Sequence, residues 1–307
     1  MKGNWVFYML AWLLAVATIA GAAAQTGPYP DKPVQIIADS SAGSTPDVAL
    51  RIVADGLIHV WKQQVLVNNH PGAGGSLAVR VASGAAPDGY TLYQPVLSTF
   101  VSLHPAAPNV PIHVPQNFLP IGFVAENPMF IAVSPSLGIS TLPELIARAK
   151  KAPGEISYAT TGVGRLTHLT GELLQREAGI KLLLVPYTGG PSHAITDVAT
   201  GRVSMIIEGY SGVAGAARSS SIQATGWAVL VAPVGTPEAI IDKISEDLRK
   251  VTLDPELQKK LAPLGSYTNP MSPAEARAFV HRQQQTWQPV LDEIAKNERW
   301  AHDRICG

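Results

Sequence analysis

From Pro33 onward the chain repeats one unit: a short run of apolar, mostly β-branched residues, a turn rich in Gly or Ser, then apolar residues at helical spacing. That alternation predicts an α/β architecture with largely parallel strands, because a parallel pair needs a crossover and a helix supplies it. In the first unit Val34–Ala38 reads as a strand and residues 40–45 as a turn. Val48, Ala49, Ile52, Val53, Leu57, Val60 and Trp61 then form the buried stripe of a helix. Thr45 as cap and Pro46 at the first helical position mark its start. The second unit runs from a strand at residues 65–67 through a turn at 68–75 into a helix carrying Val79 and Val81. Pro87-Asp88-Gly89 then turns the chain into a third strand, residues 90–96.

A Pro-rich stretch at residues 105–120 carries few helix or strand signals and reads as a linker. Beyond it the pattern restarts. Strands are expected at residues 130–133, 156–160, 182–185 and 203–207, with helices at 142–149, from Leu166 through Leu174, and up to about Thr200. From Pro237 the chain is mainly helical, with amphipathic stretches at Pro255–Leu261 and residues 273–295.

Residues 1–24 break the pattern. They carry one charge, Lys2, then an apolar run from Trp5 to Ile19 and the small residues Gly21, Ala22, Ala23 and Ala24. A basic start, an apolar middle and a small-residue exit predict a secretory signal peptide cut after Ala24. Left in place, the same stretch is about long enough to anchor the chain in a bilayer. No Cys lies beside the cut to carry a lipid, and no later apolar run reaches spanning length. The 23 basic and 23 acidic residues balance without a Lys/Arg run, which argues against nucleic acid as a partner. Gly and Pro, 27 and 25 residues, exceed their usual share and fit an ordered chain with many turns. The lone cysteine, Cys306, allows neither an intrachain disulfide nor a Cys-based metal site, and the eight His include no close pair at metal-ligand spacing.

In such folds ligands sit where strands end and helices begin. The first N–H groups of a helix lack internal partners and carry partial positive charge, and Gly or Ser lets an anion approach them. Four turns qualify: residues 42–45, 72–76, 160–165 with Thr167 and His168, and 188–190. Each alone is also an ordinary helix start; their division across the linker points to a cleft between two lobes. Catalytic patterns mostly fail. Gly72-Ala73-Gly74-Gly75-Ser76-Leu77 and Gly162-Val163-Gly164-Arg165-Leu166-Thr167 both lack the last Gly of a dinucleotide fingerprint, and no phosphate-binding loop exists. Gly209-Tyr210-Ser211-Gly212 is one position short of a nucleophile elbow. A secreted hydrolase using Ser211 or His168 is the enzymatic alternative, but no nucleophile–base–orienter set accompanies them, and His168 suits capping or packing equally well.

Together the motifs resemble the Bug family, the extracytoplasmic solute receptors of tripartite tricarboxylate transporters. The likeness is carried by Tyr29-Pro30-Asp31-Lys32-Pro33-Val34, Ala42-Gly43-Ser44-Thr45-Pro46-Asp47, Asn69-His70-Pro71-Gly72-Ala73-Gly74-Gly75 and Pro87-Asp88-Gly89-Tyr90-Thr91-Leu92. It continues through Tyr158-Ala159-Thr160, Gly162, Gly164, His168-Leu169, Val185-Pro186-Tyr187 and Ala232-Pro233-Val234-Gly235-Thr236-Pro237.

The resemblance implies a two-lobed, Venus-flytrap fold of the type II periplasmic binding protein kind. Residues 25–124 and 226–307 would form lobe 1 and residues 125–225 lobe 2. The cleft would close on a small carboxylate: a dicarboxylate, a tricarboxylate or an amino acid. By the same likeness Gly43, Ser44, Thr45, Asp47, Ser98 and Thr99 on lobe 1 face Thr161, Gly162, Gly164, Arg165, Thr167, His168, Tyr187, Gly189 and Gly190 on lobe 2. It implies a monomeric periplasmic receptor with membrane transport subunits as partners, and no catalytic residue, metal or cofactor. Closure, which needs different affinities in the open and closed states, would be the signal.

The chain departs from the family twice. Arg165 stands where members usually carry a small polar residue; its guanidinium either grips a ligand carboxylate through two parallel bonds or is solvated on the surface. The stretch between the strands near Ile206 and Val229 is also shorter than in the family, which implies a trimmed second lobe with an exposed sheet edge. That leaves open a non-transporting receptor, or one that signals to a sensor instead of a permease.

Overall fold

The computed structural model describes residues 28–101, 116–187, 191–209 and 219–306. The described strands are β1 (Val34–Ala38), β2 (Val65–Asn69), β3 (Thr91–Gln94), β4 (Phe118–Val133), β5 (Ser157–Thr160), β6 (Leu183–Pro186), β7 (Met205–Gly209) and β8 (Ser219–Pro233). The described helices are α1 (Thr45–Trp61), α2 (Ser76–Ser83), α3 (Leu97–Val101), α4 (Leu142–Lys151), α5 (Leu166–Ala178), α6 (Pro191–Ala199), α7 (Glu238–Leu253), α8 (Pro255–Leu261) and α9 (Pro273–Cys306).

Helix starts follow local chemistry. At α4 the Thr141 side chain accepts from Glu144 N–H while Glu144 reaches back to the Thr141 N–H, a reciprocal cap. At α1 the cap is Ser44, not Thr45, which is already helical. The Ser44 side chain makes no capping bond. Asp47, three residues in, instead accepts from the Gly43 N–H at 2.8 Å and folds the turn back over the helix start, where the helix dipole favours a negative charge.

Strand order is β2-β1-β3-β8-β4-β7-β5-β6. β1 lies parallel to β2 and β3, and β5 parallel to β6 and β7, as the repeated units predict. The centre differs, because β4 and β8 run antiparallel to each other and to β7 and β3, respectively. The sheet is therefore mixed. The expected linker also ends early: Phe118 already pairs with Pro233, and the strand expected at 130–133 is only the last part of the 16-residue β4. Pro120 and Pro128 concealed it, since proline lacks the N–H that a ladder uses. β4 accommodates them beside register shifts at Pro120/Gly122 and Pro128/Phe130. Residues 1–24, 102–115 and most of the shortened stretch, 210–218, lie outside the described residues. Ser219, Ser220 and Ser221 pair with Ala132, Ile131 and Phe130 of β4.

Alternation along the strands divides their side chains between two faces. In the second half Ile131, Tyr158, Met205 and Ile207 pack with Leu145, Ala149 and Leu174 on one face. Ala132, Ala159 and Ile206 pack with Ala194 and Val198 on the other. In the first half Tyr93, Phe118, Phe123 and Val229 meet Val79 and Ala82 of α2 and Ala276, Val280 and Trp287 of α9. The result is a two-lobed α/β architecture whose halves share β4 and β8. No helix among the described residues is long and apolar enough to cross a membrane.

Candidate ligand-binding site

The ends of β1, β3, β5 and β7 converge on one cavity of about 80 Å³. Ser40 and Ser41 reach it from the end of β1, Ser44 and Thr45 from the start of α1, and Val96, Leu97 and Ser98 from the β3–α3 junction. The opposite wall is Thr161, Arg165, Leu166 and Thr167 around the start of α5, with Glu208 and Gly209 at the end of β7. Asn127 and Met129 of β4 and Gly226 and Trp227 of β8 supply the middle. The halves approach closely here. A Cβ on Gly209 would lie 2.5 Å from Thr45 Oγ1 and 2.9 Å from its Cβ.

Arg165 dominates the electrostatics. Its side chain is only 17% exposed and turns into the cavity, so the surface alternative does not hold. Nη2 donates to the Asp39 carbonyl at 3.1 Å and lies 3.9 Å from Asp39 Oδ1. Nη1 has no hydrogen-bond partner among the described residues, and neither do the Ser40 and Ser98 hydroxyls. Asp39 is fully buried and accepts from Tyr93 Oη at 3.1 Å and from Thr99 Oγ1. Burial raises its pKa, with Arg165 and these hydrogen bonds pulling the other way. Glu208 is also buried, and its Oε1 accepts the Gly209 N–H at 2.9 Å. Burial pushes its pKa up to about 7, opposed by that hydrogen bond and by Arg165.

The turn that presents Arg165 is held from within. Thr167 Oγ1 accepts the Thr161 N–H at 3.0 Å, and His168 Nδ1 accepts the Gly164 N–H at 3.1 Å. The latter bond fixes the tautomer with its proton on Nε2, 3.7 Å from Glu172 Oε1, which also accepts from Tyr158 Oη at 2.9 Å. Gly164, at φ +75°, takes a backbone conformation that a side chain would strain.

Of the expected site residues, Ser44, Thr45, Ser98, Thr161, Arg165 and Thr167 line the cavity. Gly43, Asp47, Thr99, Gly162, Gly164, His168 and Tyr187 are not in its wall. Gly43 has open space where a Cβ would stand, so its φ of +78° accounts for the glycine better than ligand approach does. Asp47 is tied to Gly43, Arg51 and Asn69. Tyr187 Oη donates to Asp197 at 2.6 Å. Gly189 and Gly190 lie outside the described residues. Sequence reasoning missed Ser40, Asp39, Asn127, Glu208 and Trp227. One signal was available: Glu208 is an acidic residue closing the apolar run Met205-Ile206-Ile207.

The sequence model of the tripartite tricarboxylate transporter family receptor matches residues 49–219, more than half of the chain. The chain belongs to that family. A protein of Agrobacterium vitis, encoded in the ttuE-ttuC' intergenic region, is 32% identical over 84% of this chain and 82% of its own. BugT of Bordetella pertussis is 28% identical over 91% and 94%, respectively. The solved structure of the periplasmic binding protein BugD is 25% identical, covers 86% of this chain and 98% of its own, and superposes with a TM-score of 0.76. Family membership makes this a solute-binding receptor chain of the periplasmic binding protein fold.

Proposed function

We propose that the protein is a periplasmic receptor that closes two lobes over a small carboxylate and presents the closed form to membrane subunits of a tripartite tricarboxylate-type transporter. The observation that carries this reading is the set of polar groups in the cavity wall that have no partner among the described residues: Arg165 Nη1 and the Ser40 and Ser98 hydroxyls. A buried polar group without a partner costs about 1–3 kcal/mol, and a carboxylate offers enough lone pairs to satisfy all three. The starts of α1 and α5 border the same space and add their partial positive charge. No bond is made or broken.

In this reading residues 1–24 are the export signal, cut after Ala24. Residues 25–124 with 226–307 form one lobe and residues 125–225 the other, and the receptor acts as a monomer. A thermal-shift panel of mono-, di- and tricarboxylates and amino acids on the chain from Gln25 tests it. A ligand at about 100 times its Kd adds roughly 2.7 kcal/mol of stability. The expected outcome is a shift of several degrees with one chemical class; a folded protein indifferent to the whole panel would sink the reading.

A further inference from the structure

A receptor for a plain dicarboxylate gains nothing from an ionised acid beside its ligand. Yet Arg165 and Glu208 are the two charged residues in the described cavity wall, and they bear opposite signs. Glu208 ends β7 with one carboxyl oxygen held by the Gly209 N–H, and the residue is 6% exposed. Arg165 is partly neutralised from behind by Asp39. The side chains of the described wall therefore carry no surplus of positive charge. A ligand with two carboxylates would set one of them near Glu208, where desolvation makes like-charge contact costly. A ligand with one carboxylate and one ammonium meets an opposite charge at each end. The Ser40 and Ser98 hydroxyls, both 1% exposed and without hydrogen-bond partners among the described residues, are the independent mark that something polar belongs in this space.

We propose that Glu208 makes the cavity selective for small zwitterions, with Arg165 taking the ligand carboxylate and Glu208 its protonated amine. The proposal rests on the receptor reading above and narrows its ligand class. Calorimetric titration of the chain from Gln25 at pH 7.5 tests it with ligand pairs that differ only in the amine: aspartate against succinate, and alanine against propionate. One charged hydrogen bond is worth about tenfold or more in affinity. The amino member of at least one pair is therefore expected to bind about tenfold tighter than its partner. Glu208→Gln keeps the shape and an acceptor for the Gly209 N–H but removes the charge, so it is expected to shrink that preference to about twofold or less. Arg165→Ala is expected to weaken both members of the pair.

Des-amino acids that bind the unmodified protein as tightly as amino acids would overturn the proposal and leave the receptor reading standing, whether or not any variant folds. A preference that survives in a folded Glu208→Gln protein would overturn the role of Glu208. Silence toward both members of every pair would overturn the proposal, while the receptor reading would stand or fall with the wider thermal-shift panel.

Discussion

Glu208, with its pKa at about 7, gives stability a direction in pH. In an unfolded chain a glutamate ionises near about 4.3. Below that value both states hold the proton and the group is neutral to folding. Between about 4.3 and 7 the unfolded chain has released its proton while the folded protein retains it, so stability falls as pH rises. Without ligand, Glu208→Gln is thus expected to melt higher than the unmodified protein at pH 8, with the gap closing toward pH 4. Thermal melts across that range check it, and a gap independent of pH would mean the substitution acts through packing. At this scale the sequence was only partly legible. Ser44 and Thr45 could be read from a strand-end turn, because helix starts reveal themselves locally, whereas Ser98 came only with the family likeness. Asp39 could not, and Glu208 left only the trace of an acid closing an apolar run, because their importance comes from Arg165, far away in sequence and brought near only by the converging strand ends.

Among the elements, two glycines mark close approaches of backbone to side chains. Gly209→Ala would drive a methyl into Thr45 at the start of α1. The expected result is an unchanged circular dichroism spectrum with ligand affinity lowered by about tenfold or more, since displacement of positioning contacts costs on that order; calorimetry measures it. Gly171 of α5 lies against the Tyr158 ring of β5, so Gly171→Ala overpacks that contact and is expected to cost about 1–3 kcal/mol in urea unfolding. Most helices and the outer strands were legible from period, though the short α3, Leu97–Val101, was not. Nor was β4. Its prolines mimic a linker, and only pairing with β8 reveals that the chain stays extended through them.

For the whole molecule the proposed division into export signal and receptor makes the next prediction. Produced with its leader and recovered from a periplasmic extract, the protein is expected to begin at Gln25 by mass spectrometry. Residues 1–24 retained in a membrane fraction would instead identify an anchor. The two-lobed plan followed from family likeness more than from hydrophobic pattern. Periodicity supplies strands and helices, but not the fact that two long antiparallel strands cross between the halves.

Those crossing strands are also the floor of the cavity, through Asn127, Met129, Gly226 and Trp227. A binder built this way would have its spring and its seat made of the same peptide units. Reshaping the seat for a bulkier guest would alter the stiffness of the jaws, so new specificities should arise on the walls, at positions such as 165 and 208, before they arise underneath.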